Sequence, residues 1–272
     1  MKTYCYRQLR KVLLGVTGLF LFLFHQPSFG QSKTYRSGAF WPEVQVEYVL
    51  KSTSFFFFRN QNRHNFDDAF NHARENGPLQ YLERFQIRGG YEYVFRGHWG
   101  LGVSESYAIE RTRRILFNEI YGRHIGSIGK FRFTQRAAYE HVVRWGAETF
   151  GRSRIRADVD RDINLGKIKL RPRIAYELFF NYDYKQSPAD PDVEREVDRT
   201  RLRLELQYVV NQRLGIMPHF IKQSDYFLVE PAYDKVGNLI RAGGRHNQIR
   251  PIWGLDIRYT IFEGGTPFPR NR

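Results

Sequence analysis

Charged and other polar side chains, arginine above all, stand at most alternate positions through two neighbouring segments of this chain. Residues 167–181 read K-I-K-L-R-P-R-I-A-Y-E-L-F-F-N, and residues 199–210 read R-T-R-L-R-L-E-L-Q-Y-V-V. A guanidinium is a planar fork of donors that matches a carboxylate or a phosphate. A row of them two residues apart can cross-link to facing carboxylates or hold anions. The same spacing recurs at Lys130, Arg132 and Arg136 and at Arg152, Arg154 and Arg156. With Lys167, Lys169, Arg171, Arg173, Arg199, Arg201 and Arg203 the four rows carry thirteen basic residues. Five acidic ones oppose them: Glu140, Asp158, Asp160, Glu177 and Glu205.

Other chemistry is sparse. His64, Asp68, His72 and Glu75 fall on one face at helical spacing, a candidate site for zinc or another cation. A solvated polar face accounts for the same pattern, no tighter ligand motif accompanies it, and no metal or cofactor is expected. A lipid hydrolase would need an activated nucleophile, and neither G-x-S-x-G nor an H-x-S pair occurs. His141 and His219 are the histidines that fall on clear strands, and His219 reads as a hydrogen-bond partner for the charged row. There is no phosphate loop, and Arg88-Gly89-Gly90 reads as a bulge or close-packing position. An enzyme is not expected.

Alternation with a period of two means strands, each with one apolar and one charged face. The same pattern runs along the chain without a linker, from Trp41–Leu50 to Gln248–Phe262, where Ile249, Trp253, Leu255, Ile257, Tyr259 and Ile261 alternate against Arg250, Asp256 and Arg258. In a soluble sheet the charged face meets water; in a transmembrane barrel the apolar face meets lipid and the charged face lines the lumen.

The N-terminal residues favour the second arrangement. Lys2, Arg7, Arg10 and Lys11 precede an apolar run from Val12 to Phe24, then Gln26-Pro27 and Ser28-Phe29-Gly30. Residues 1–30 therefore read as a cleaved secretory signal, too short for a comfortable spanning helix of roughly 20 residues. Cys5 is the one cysteine and lies inside that segment, so the mature chain has no disulfide and no thiolate. The formal charge of +15 would suggest nucleic acid, but export makes outer-membrane lipid, lipopolysaccharide phosphates and small anionic solutes the expected partners, with the barrel-assembly machinery during insertion. Nucleic acid is not expected.

The expected fold is an all-β, antiparallel up-and-down transmembrane barrel over residues 31–262, with a short periplasmic tail at 263–272. Short turns near Gly97, Gly126, Ile163–Gly166 and Asn211–Gly215 alternate with longer connections at 60–78, 186–193 and 231–245. Ten strands result if Trp41–Arg59 is one bent strand, and twelve if Lys51-Ser52 is a turn. The first long loop is expected to hold a short helix, capped by Asn65 and stopped by Gly77-Pro78.

A hairpin centred near residue 190 would set Glu177 against Arg203, Asn181 against Arg199, and Arg173 beside Glu205 and Gln207. One centred near Arg213 would set Gln207 against His219 and Arg201 against Asp225. The lumen is thus expected to carry a cross-strand network of arginine and carboxylate.

R-P-R-I-A-Y-E-L-F-F-N, a loop, then R-T-R-L-R-L-E-L-Q-Y resembles an uncharacterised family of Gram-negative outer-membrane β-barrels, described as a domain of unknown function. The likeness is best over Gly129–Tyr226. It implies a barrel in the outer membrane and brings no catalytic residue, cofactor or substrate. The functional expectation is a structural or narrowly conducting barrel with an anion-favouring lumen. The alternatives are an outer-membrane enzyme acting on lipid or lipopolysaccharide, and an exported soluble β-sandwich that binds an acidic ligand.

Overall fold

The computed structural model describes residues 31–67, 81–110, 113–166, 168–184, 197–229, 231–234, 236–241 and 243–267. The strands are β1 Gln31–Tyr35, β2 Ala39–Val49, β3 Phe55–Asn65, β4 Leu82–Phe95, β5 Trp99–Glu110, β6 Arg113–Ile128, β7 Phe131–Arg144 and β8 Phe150–Asp160. They continue with β9 Ile163–Leu165, β10 Ile168–Asp183, β11 Arg199–Val209, β12 Leu214–Val229, β13 Ala232–Tyr233, β14 Leu239–Arg241 and β15 Gly244–Phe262.

Eleven of these close a barrel in the order β2 to β8, then β10, β11, β12 and β15, which returns to β2. Every neighbouring pair is antiparallel until the seam, where β15 and β2 run parallel from Ile252 opposite Ala39 to Phe262 opposite Val49. The Arg36 amide donates to the Ile249 carbonyl at 2.9 Å, which carries the same offset towards β1. The fold is therefore all-β, but mixed rather than purely up-and-down, and its eleven strands replace the expected ten or twelve.

The seam follows from the first hairpin. Lys51-Ser52 is a turn: the Leu50 amide donates to the Ser54 carbonyl at 2.9 Å, and Thr53 takes a left-handed φ of 69°. Its presence does not require a further hidden strand, because a parallel pair closes an odd count. The turn expected near Gly126 sits later, at Gly129-Lys130, where Gly129 has φ 59° and β6 runs on to Ile128.

The sheet alternates as the sequence does. On β10 Ala175 and Phe179 are buried inward while Ile174, Tyr176 and Tyr182 are exposed outward. One closed sheet replaces the two packed layers that a sandwich would need.

Among the described residues there is no helix. Asn65 ends β3 instead of capping a helix; its Oδ1 accepts from the Asp67 amide at 3.2 Å, and its Nδ2 donates to Glu83 at 3.2 Å. The remainder of the expected helix lies outside the described residues, as do residues 1–30 and 268–272.

The β13–β14 hairpin lies in the smaller of two compact units, apart from the barrel strands β2 to β12. Asp234 organises its turn, accepting from the amides of Val236 at 2.9 Å and Asn238 at 2.8 Å. Hydrogen bonds from the Asn238 side chain and backbone hold the Asp234 carboxyl below its ordinary range.

Candidate functional site: an ion-paired lumen

Inward positions on consecutive strands are brought into register by the ladders, and the ladders set which charges meet. Between β10 and β11 Glu177 lies opposite Arg201, Phe179 opposite Arg199, and Arg173 opposite Glu205. Between β11 and β12 Arg199 lies opposite Asp225, Arg201 opposite Gln223, and Glu205 opposite His219. Both ladders differ by two residues from the expected pairing, so side chains keep their faces while Glu177, Arg199, Arg201 and His219 change partners; Arg173 stands beside Glu205, as expected.

The cause lies at the strand ends. The Asp198 amide donates to the Phe179 carbonyl at 3.0 Å, and the Asp198 carboxylate accepts from the Asn181 amide at 2.5 Å. At the next hairpin Asn211 Oδ1 accepts from the amides of Arg213 and Leu214, both at 2.8 Å, which centres the turn one residue earlier.

The paired lumen is organised around carboxylates shared by several arginines. Glu119, with a side chain 1% exposed, meets Arg136 at 2.6 Å and also pairs with Arg88 and Arg154. Arg154 continues to Glu140 at 2.9 Å and Glu177 at 3.5 Å. Glu140 holds the Arg152 Nε at 2.6 Å. Arg156 pairs with Asp158 at 2.5 Å, Arg132 with Asp160 at 2.5 Å, and Arg173 bridges Asp160 at 3.3 Å and Glu205 at 3.2 Å.

Towards the seam Arg203 joins Glu205 at 2.7 Å and Asp256 at 2.5 Å. His219 Nδ1 sits 3.4 Å from Asp256 and 3.3 Å from Arg203. Arg171 turns to Asp162 at 2.5 Å, Arg199 pairs with Asp225, and Gln207 is buried with its Oε1 lacking a donor among the described residues.

Open space among the described residues divides into chambers. A vestibule of about 920 Å³ lies beside Arg63 of β3, Asn181 of β10 and Phe227 of β12. It is lined by eight arginines and four carboxylates, together with Ile115, Phe117, Val142, Phe150 and Phe179. Below it is a middle chamber of about 180 Å³ lined by eleven arginines but only Glu43, Glu140 and Glu177 as acids. A third, of about 210 Å³, follows towards the short-turn rim. Side chains thus fill most of the bore, as in other narrow barrels.

Several residues of this network are not legible in the arginine rows. Glu119 follows Phe117 on the inward face of β6 and precedes Tyr121, so it reads as one acid within an aromatic stripe. Tyr121 donates to Glu92 at 2.9 Å, Glu92 also pairs with Arg123, and Arg250 reaches Glu83 at 2.9 Å. Continuing the period of two from Arg123 backwards would have placed Glu119 inside.

The candidate cation set does not assemble among the described residues. His64 lies on β3 opposite Leu82 and Phe40, while Asp68, His72 and Glu75 lie outside the described residues. No group of three metal-binding side chains comes together among those described. His64, His124 and His246 also sit on strands, beyond the two histidines read from sequence. His141 faces outward, with Nδ1 2.9 Å from the Tyr184 hydroxyl.

The molecule is thus a closed β-barrel whose lumen is held by shared arginine–carboxylate pairs. It belongs to the family described as "Protein of unknown function (DUF2490)", whose match spans residues 38–228. No curated protein matches the chain.

Proposed function

We propose that the protein is an integral β-barrel of the Gram-negative outer membrane, structural or narrowly conducting, with an anion-favouring lumen. The observation that carries this reading is the outer face of the barrel. Ile174 is 56% exposed, Ile155 54%, Val103 53% and Ile120 51%, and like residues recur on each strand outward of a charged interior. A soluble monomer does not keep so large a continuous apolar surface in water. A lipid-facing band requires one.

Further support comes from the aromatic rings near the strand ends. Tyr93, Phe95 and Trp99 stand exposed around the Arg96–His98 turn, and Tyr182 and Tyr184 stand exposed at the far end of β10. Such rings sit well at a lipid–water boundary. Closure of the sheet also leaves no unpaired edge for the hydrocarbon to solvate. Residues 1–30 supply the export route, and the short-turn rim corresponds to the periplasm.

The test is extraction followed by conductance. The protein should stay with the envelope in high salt, leave it only in detergent, and change gel mobility on heating. In a planar bilayer under a salt gradient it should give small steps with an anion-selective reversal potential, or none if the central pairs seal the bore. Release by salt alone would overturn the membrane reading, and cation selectivity would overturn the anion-favouring lumen.

A further inference from the structure

Two lumen arginines are held differently from the others. Arg63 donates through Nε to Gln61 Oε1 at 2.8 Å, and Arg201 donates through Nε to Gln223 Oε1 at 2.8 Å. A neutral amide fixes the direction of a guanidinium without cancelling its charge. Among the described residues Arg63 has no ion pair, and Arg201 has one long contact, 3.9 Å to a Glu177 that Arg154 also shares.

Both guanidiniums lie over the same ring, Trp41, at 4.2 Å and 5.3 Å from its centre. Trp41 is 4% exposed, and its indole N–H has no acceptor among the described residues. Trp41 and Arg63 line both the vestibule and the middle chamber. An unsatisfied buried donor is costly, and its meeting at one level with two part-buried guanidiniums short of counter-charge calls for an acceptor.

We propose that Arg63, Arg201 and Trp41 form a binding site for an amphipathic carboxylate, taken up from the vestibule. The carboxylate accepts from the free Nη ends of the two guanidiniums. Its apolar body lies in the vestibule against Phe117 and Phe179, in a volume that suits a small organic ligand. The Nε–glutamine bonds preorganise the fork, and binding replaces the missing counter-charge. The site rests on the reading of this lumen as accessible to solutes from the vestibule side.

The experiment uses refolded mature protein in detergent, titrated with benzoate, decanoate or inorganic phosphate and followed by tryptophan fluorescence and calorimetry. Benzoate or decanoate should bind saturably, and phosphate, lacking an apolar body, at least about tenfold more weakly. Arg63→Gln with Arg201→Gln should weaken binding by about tenfold or more. Gln61→Glu, which supplies Arg63 with its own carboxylate, should abolish binding while the protein keeps its heat-modifiable mobility.

Absence of saturable binding by folded protein, or binding untouched in both variants, overturns the site. Equal affinity for phosphate overturns the role of the apolar vestibule. Extraction by salt with benzoate binding intact would remove the membrane reading and leave the site standing. Detergent-dependent extraction without binding would do the reverse.

Discussion

Replacing Glu119 with Gln removes one negative charge from between three guanidiniums while keeping the side chain's size. The three do not lose equally. Arg154 retains Glu140 at 2.9 Å and Glu177 at 3.5 Å. Arg88 is left with Ser104 Oγ at 2.8 Å, and Arg136 with the face of Tyr121 at 4.0 Å, neither of which carries a full counter-charge. Breaking one partner out of a buried pair costs about 3–5 kcal/mol because the other charge stays buried. The Arg88 and Arg136 side chains are 14% and 21% exposed, so lumen water relieves part of this and the low end, about 3 kcal/mol, is expected.

That loss corresponds to roughly a hundredfold in the folding equilibrium. It is measurable as a fall in the urea midpoint of the barrel refolded into lipid vesicles, read by heat-modifiable gel mobility at constant slope. A double-mutant cycle with Arg88→Gln should return a coupling of about 1–3 kcal/mol. An unchanged midpoint for Glu119→Gln, with no coupling to Arg88, would refute the view that shared carboxylates hold this lumen.

Glu177→Ala should also lower the midpoint, but less than Glu119→Gln, because its contacts to Arg154 and Arg201 are long at 3.5 and 3.9 Å; the same titration ranks the two. Arg63→Gln should leave it unchanged or raise it by up to about 1 kcal/mol, since no carboxylate is orphaned and the part-buried guanidinium has only Gln61 and the Trp41 ring to lose; a clear fall in the midpoint would refute this. Ile174→Arg, on the outward face midway along β10, should cost about 2–4 kcal/mol in lipid vesicles, and a cost near zero would place that face in water. Gly254→Ala should cost about 1–3 kcal/mol by overpacking, because a Cβ there runs into the His219 ring and stands 2.5 Å from the Trp41 carbonyl; a wild-type midpoint would show that the seam can give way.

Strand identity and face were readable in the sequence because both are local. The charges of residues 171–181 and 199–207 leave a single assignment of inside and outside, and the structure keeps it. Partner identity was less readable. Register depends on where Asp198 and Asn211 fasten the hairpin ends, and nothing in the alternation marks those two side chains as fasteners. Closure was not readable at all, since Phe262 and Val49 meet across most of the chain and only the complete circuit determines whether they run together or opposed. Glu119 escaped notice because its inward neighbours, Phe117 and Tyr121, are aromatic. The pattern of alternating charge is absent there although the position itself is the centre of the network.

An odd circuit also separates the two ends of the barrel chain in space. Since β2 and β15 travel in the same direction, the backbone enters β2 at one rim and leaves β15 at the other. Eleven paired residues of strand lie between the two rims along that seam, about 33 Å of extended chain. A reporter placed ahead of Ala39 and another placed after Phe262 would therefore stand on opposite sides of whatever this barrel spans. A short peptide could not splice the two positions into a permuted ring. If the short-turn rim faces the periplasm, the segment preceding β2 must be carried across the bilayer during insertion, and protease access to that segment becomes a direct record of how the barrel was threaded.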